Sequence, residues 1–195
     1  MVVENAALDY ATEKIEDESD FELIGGEKFY MAAAPNLDHG TITGRIFVEF
    51  FNYITKNNIK AAVFSDNTDV YLSDENHFMP DISVVCNPEI IKLRKKILGT
   101  PDLIVEVLSE STMKNDLGKK KDAYEKYGVK EYWIIDPWSK RVEVYHNVDG
   151  KFNLDNVYKL YSDDEDIELQ QKIKVSIFDD LIIDIRDIFK WWFDN

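Results

Sequence analysis

Pro101-Asp102-Leu103-Ile104-Val105-Glu106-Val107-Leu108 is an apolar run with a single acid inside it. Six residues of this kind, bounded by a proline and a serine-rich stretch, read as a strand buried on both faces. An ionised carboxylate in such a strand is costly unless it is paired or holds a metal. Glu106 is therefore either half of a buried salt bridge or a metal ligand, on the face it shares with Ile104 and Leu108. A second strand-like run, Ile82-Ser83-Val84-Val85, opens with the same dipeptide: Pro80-Asp81 answers Pro101-Asp102. Alone, Asp81 is a turn residue after proline. Beside Glu106 on a neighbouring strand it completes a carboxylate pair of the kind that holds magnesium together with water and phosphate oxygens. The backbone carbonyl of Val107 is placed to add a third oxygen.

Downstream, Ser111 or Thr112 starts a helix that ends at Gly128, a residue suited to the position just past a helix C-terminus. At about 100° per residue, Met113, Leu117, Lys120, Tyr124 and Tyr127 form one stripe. Of the three consecutive lysines 119–121, Lys119 points away and Lys121 lies at the edge. Lys120 is aimed at the sheet, where an ammonium can stabilise charge developing on a phosphate or can simply cover apolar surface.

The remaining elements follow from the same patterns. Phe21–Ile24 and Lys28–Ala32 flank Gly25-Gly26, a hairpin signal. Asp38 is a candidate N-cap for a helix running to about Lys56, with Ile42, Ile46, Phe50 and Tyr53 at helical spacing. Strands are expected near Ala61–Phe64 and Asp69–Leu72, and a charged connection with a short helix at 87–100. Glu131–Ile135 is a strand stopped by Asp136-Pro137. Arg141–His146 pairs with Phe152–Leu160 across Val148-Asp149-Gly150. The tail offers an apolar run, Leu181–Ile185, and a packed helix over Ile188–Phe193. This order of helices and strands implies an α/β (α+β type) fold with a central mixed sheet flanked by helices.

A chain of 195 residues suits a single domain, 1–195. Residues 1–19 form a polar, acidic N-terminal extension with one helical turn around Ala6–Lys14. The lone cysteine, Cys86, excludes an internal disulfide and fits a reducing cytoplasm. No secretory signal and no apolar run of membrane-spanning length occurs, so a cytoplasmic protein with no membrane partner is expected. The net charge of -15 argues against nucleic acid. Its distribution softens that, because residues 92–130 hold ten Lys or Arg against six acids. Lys95 and Lys96 in this basic island are candidate DNA contacts. His39, at a helix start, can reach a phosphate or a site carboxylate, and Glu27 is a weaker outer-shell acid. Glu49 is expected to be solvated and Cys86 structural. His77 and His146 lack metal-like spacing.

FELIGGEKFYM (residues 21–31), Asp38-His39-Gly40, MPDISVV (79–85) and PDLIVEVLSESTMKNDLGKKKDAYEKYGVKEYWIIDP (101–137) together resemble the Uma family of restriction endonucleases, within the PD-(D/E)XK nuclease superfamily. The resemblance runs from about Phe21 to Phe189. It implies a restriction-endonuclease-like core, with Asp81 as the aspartate of the PD half-motif and Glu106 as the acid of the second. The superfamily's lysine normally stands two residues after that acid, where this chain has Leu108. The resemblance implies replacement from the following helix, at Lys120.

The function expected is a magnesium-dependent DNA endonuclease, with manganese as a substitute. Asp81, Glu106 and the Val107 carbonyl hold the metal, and Lys120 stabilises the transition state. The alternatives are a catalytically inactive nuclease-fold protein serving as a binding or assembly module, and a hydrolase of another phosphodiester. Cutting both strands of a duplex takes two sites, so a homodimer is expected, with the apolar C-terminal segment as its interface.

Overall fold

The structure, a computed structural model, describes residues 21–30, 37–65, 68–92, 96–160 and 171–190. The expected N-terminal turn, the far end of the first hairpin, Lys95 and residues 191–193 of the last helix lie outside them.

Gly25 and Gly26, with φ of 61° and 81°, turn β1 (Phe21–Ile24) back onto β2 (Glu27–Tyr30). Two successive positive φ values give the turn whose twist matches a hairpin. Helix α1 (Leu37–Lys56) follows. It begins one residue before Asp38, which therefore sits in the first turn rather than at the N-cap. His39, Ile42, Thr43, Ile46, Phe50 and Ile54 form its buried face. Tyr53 lies at the edge of that face and donates to Asp180.

The next strands are β3 (Ala62–Ser65), β4 (Val70–Ser73), β5 (Asn76–Phe78) and β6 (Ile82–Val85). A 3-10 turn at Pro88–Ile90 leads to β7 (Ile91–Lys92), β8 (Lys96–Leu98) and β9 (Leu103–Val107). The single helix expected over 111–128 is two, α2 (Met113–Asp116) and α3 (Lys119–Tyr127). Gly118 breaks it, with φ -123° and ψ -104° outside the helical region. Met113 and Leu117 are consequently exposed instead of inward. Gly128, at φ 82°, closes α3. The chain then runs through β10 (Glu131–Asp136), β11 (Arg141–Val148), β12 (Lys151–Lys159), β13 (Lys172–Lys174), β14 (Ile182–Asp184) and α4 (Ile185–Phe189).

The central sheet has the order β12-β11-β10-β9-β6-β3, and its one parallel pair is β9 with β10. A second six-stranded sheet, β2-β1-β5-β4-β8-β7, was not foreseen. Strand β5, which joins the hairpin to β4, carries polar residues inside, which hides it from a pattern search. Asn76 in β5 accepts from the Gly25 N–H, and His77 meets Asp69 at 2.8 Å. Strands β13 and β14 form a small third sheet.

Alternation along β9 divides the core in two. Leu103, Val105 and Val107 pack with Trp133, Ile135 and the inner face of α1. Ile104 and Leu108 pack with Tyr124 of α3, Tyr132, Ile24 of β1 and Phe78 of β5. Helices thus cover both faces of the central sheet, as the fold class requires. Among the described residues no helix is long and apolar enough to cross a membrane.

Glu131, at the start of β10, is fully buried. It accepts from Trp133 Nε1 at 2.6 Å and from the backbone N–H of Ser176 at 2.7 Å, and also from the Ser176 hydroxyl. It is a strut between the central sheet and the segment around β13. Glu131→Ala strands these donors and should lower the unfolding free energy by about 3 kcal/mol, measured by urea denaturation. A loss below about 1 kcal/mol would mean that the strut is dispensable.

Candidate active site

Strands β6 and β9 run antiparallel, with Ile82 opposite Val105 and Val84 opposite Leu103. Each of the two Pro-Asp dipeptides sits where its own strand begins and its neighbour ends. Asp81 Oδ2 accepts the Val107 N–H at 2.6 Å. Asp102 Oδ2 accepts the Cys86 N–H at 2.6 Å. The aspartates are matched clamps on the last free N–H of the opposite strand.

Their second oxygens differ. Asp102 Oδ1 meets the exposed Lys130 at 2.7 Å. Burial and the Asp102 carboxylate push the Cys86 thiol up to about 11, which fits an inert structural cysteine. Asp81 Oδ1 instead meets His39 Nε2 at 3.1 Å, with both side chains largely buried. Extending the β6–β9 register by one pair puts Asp81 opposite Glu106, so the two carboxylates share the α3 face of the sheet.

Glu106 is buried, and so is Lys120. Lys120 Nζ lies 2.8 Å from Glu106 Oε1, 3.1 Å from Glu22 Oε1 and 3.1 Å from Asp116 Oδ1. The Tyr124 hydroxyl donates to the same Glu106 oxygen at 2.8 Å. Glu22 Oε1 also accepts the Met79 N–H at 3.0 Å. One ammonium is thus shared by acids from β1, β9 and α2.

Burial holds the Glu106 carboxyl well above its ordinary 4.5, against the pull of Lys120 and with help from Asp116, Asp81 and Glu22. Asp116 is raised for the same reason, burial first. Burial would depress Lys120, but Glu106, Asp116 and Glu22 outweigh it and hold the ammonium well above the ordinary lysine range. Burial likewise raises Tyr124, which keeps its phenol a donor. Three acids around one cation are in excess, which favours the protonated forms of Glu106 and Asp116.

The structure brings together Asp81, Glu106, Lys120 and His39 among the residues singled out from the sequence. Val107 closes β9, its N–H taken by Asp81. Glu27 lies elsewhere: it is exposed and pairs with Lys119 at 2.8 Å. Lys121 sits 3.4 Å from the centre of the Tyr145 ring. Lys96 is in the second sheet, 4.6 Å over the Tyr71 ring, and Lys95 is outside the described residues. Sequence reasoning missed Glu22, Asp116 and Tyr124. Glu22 carries the signal that exposed Glu106, an acid inside an apolar strand, Phe21-Glu22-Leu23-Ile24. Asp116 and Tyr124 stand one helical turn to either side of Lys120.

Residues 7–177 match the Uma2 family, described as "Putative restriction endonuclease". The chain belongs to the Uma2 family. Among solved structures it resembles one titled as a putative nuclease belonging to DUF820 from Anabaena variabilis ATCC 29413. The identity is 23% and the TM-score 0.69, over 93% of this chain and 96% of that one. At that identity the likeness establishes the fold. No curated protein matches the chain.

Among the described residues of this Uma2 protein, no three or more His, Cys, Asp or Glu side chains are grouped to hold a metal ion. Magnesium asks for less, usually one or two carboxylates with water and phosphate oxygens completing the shell. Asp81 and Glu106 fit that donor chemistry, because both are hard oxygen donors on one face.

The pH dependence follows from the raised Glu106. A carboxyl whose folded pKa exceeds its unfolded one binds its proton more tightly in the folded state. Stability therefore falls as pH climbs from 4.5 into the raised range. Glu106→Gln should flatten that fall, read from urea titrations between pH 5 and pH 8. Lys120 keeps two acids in this variant, so stability near pH 5 should change by less than about 1 kcal/mol. Lys120→Met leaves three buried acids without a cation and should cost about 3–5 kcal/mol. Equal losses in the two variants would show that Glu106 is the essential half of a structural ion pair.

Proposed function

We propose that this chain is a magnesium-dependent DNA endonuclease whose site is Asp81, Glu106, the Val107 carbonyl and Lys120. The supporting observation is the convergence of an acid from each of two antiparallel strands with a buried lysine on one face of the sheet. Magnesium held there, or manganese in its place, would polarise the scissile phosphate and make bound water nucleophilic at neutral pH. His39 orients Asp81 through Oδ1, while the Val107 N–H fixes Oδ2. Lys120 takes the place of the strand lysine that Leu108 displaces. Held by three carboxylates, it positions Glu106 and offsets charge at the reacting phosphate. Lys95 and Lys96 supply backbone contacts to DNA, in a binding that weakens steeply with salt. The single cysteine fits a cytoplasmic setting. A homodimer would bring the two sites that a double-strand cut needs.

One observation favours a second reading. Glu106 and Lys120 satisfy each other without any ligand, as they would in an inactive nuclease-fold protein that serves as a binding or assembly module. Metal separates the two. Supercoiled and single-stranded DNA should be cut with magnesium or manganese, and chelation should stop it. Asp81→Ala and Glu106→Gln should fall to background, while His39→Ala should lose about 10–100-fold. Millimolar magnesium should also raise the melting temperature of the wild type but not of Asp81→Ala. No cleavage together with no metal-induced shift would leave only the inactive module.

A further inference from the structure

Helix α1 buries one face and shows another to solvent, and the outward face is unusual. It runs through Leu37, Thr41, Gly44, Val48, Phe51 and Thr55 and carries no charge, in a chain that is 31% charged. Leu37 is 81% exposed, Val48 48% and Phe51 50%. A solvated helix face is normally polar or charged. Gly40 and Gly44 leave the backbone bare: apart from their chain neighbours and the helix's own backbone, no atom lies within 4 Å of where a Cβ would stand on either. Large exposed side chains thus follow an open shelf along the same helix.

The charges of α1 are ordered. Its Asp, Glu, Lys and Arg residues are Asp38, Arg45, Glu49 and Lys56. At about 100° per residue they all lie on one flank, within about 40° of each other. Their signs read minus, plus, minus, plus, and their spacing is antisymmetric about Phe47. Asp38 precedes that residue by as much as Lys56 follows it, and Arg45 precedes it by as much as Glu49 follows it.

We propose that α1 packs against α1 of a second copy of this chain, antiparallel, on a two-fold axis at the level of Phe47. A two-fold perpendicular to the helices reverses their direction and keeps the charged flanks on the same side. Asp38 then faces the second copy's Lys56, and Arg45 faces the second copy's Glu49, each pair occurring twice. Phe51 falls at the level of residue 43 of the other helix, beside the shelf of Gly40 and Gly44. The antisymmetric charges select a second copy over an unrelated partner. A generic apolar partner would require no such order, and a parallel two-fold would carry the two charged flanks to opposite sides of the pair, where they could not meet. Asp187 adds to the match: its carbonyl accepts from Arg45 at 3.0 Å, and its charge, after burial, helps raise Glu49. The incoming guanidinium therefore meets an acid-rich flank.

The interface is independent of the chemistry at Asp81 and Glu106. The test is the mass of the full chain by sedimentation equilibrium. The wild type should be a dimer. Arg45→Glu and Glu49→Arg, each alone, oppose like charges and should weaken the dimer at least about tenfold. The double swap of Arg45→Glu with Glu49→Arg restores the antisymmetric order and should restore the dimer. Arg45 also holds Asp187, so Val48→Glu, which touches neither, is the second variant. It should be monomeric yet folded, with an unchanged far-ultraviolet circular dichroism spectrum and a melting temperature that no longer rises with protein concentration. A wild type that is monomeric at every concentration overturns the proposal. So do single reversals that leave the dimer intact, or a double swap that fails to rescue it.

Discussion

One buried ammonium group bridges acids of this molecule's two large sheets. Lys120 arises from α3 and reaches Glu106 in the central sheet, Glu22 in the hairpin sheet and Asp116 in the preceding turn. Each acid would be prohibitively costly where it stands without a cation. Hydrophobic burial brings these elements together, and the charge sets the arrangement in which they meet. The surrounding apolar groups, Ile24, Phe78, Ile104, Leu108 and Tyr132, close over the cluster and strengthen each interaction within it.

The strand pair β6–β9 gives the cluster its second half. Two Pro-Asp dipeptides make the same hydrogen bond at opposite ends of the pair, yet only Asp81 looks toward the buried acids. The difference is one of surroundings. Asp102 meets the exposed Lys130, while Asp81 meets the buried His39 beside the α3 face. Identical local sequence thus supports a structural clamp at one end and a candidate metal ligand at the other.

Much of this was legible in the chain. The buried acid in β9, the inward turn of Lys120 and the Gly25-Gly26 and Asp149-Gly150 hairpins follow from period and turn chemistry alone. The parts that escaped are those where tertiary contacts override local pattern. Gly118 breaks α2 from α3 although the apolar spacing runs through it, so Asp116 is buried where Met113 and Leu117 were expected. Strand β5 hides because Asn76 and His77 are buried with polar partners supplied from the β1–β2 turn and from the segment before β4. Glu22 carried a readable signal, but its partner stands about 100 residues away, beyond any local window.

The shared lysine also governs the order in which mutations can accumulate. With three acids on one cation, losing the first acid relieves an excess of negative charge. Losing the second leaves a simple ion pair. Losing the third strands a buried ammonium. The same substitution, carboxylate to amide, is therefore mild or severe according to which of Glu22, Glu106 and Asp116 has already gone. As far as folding is concerned, a lineage can lose one of these acids at little cost, but it can lose the last only after Lys120 itself has changed.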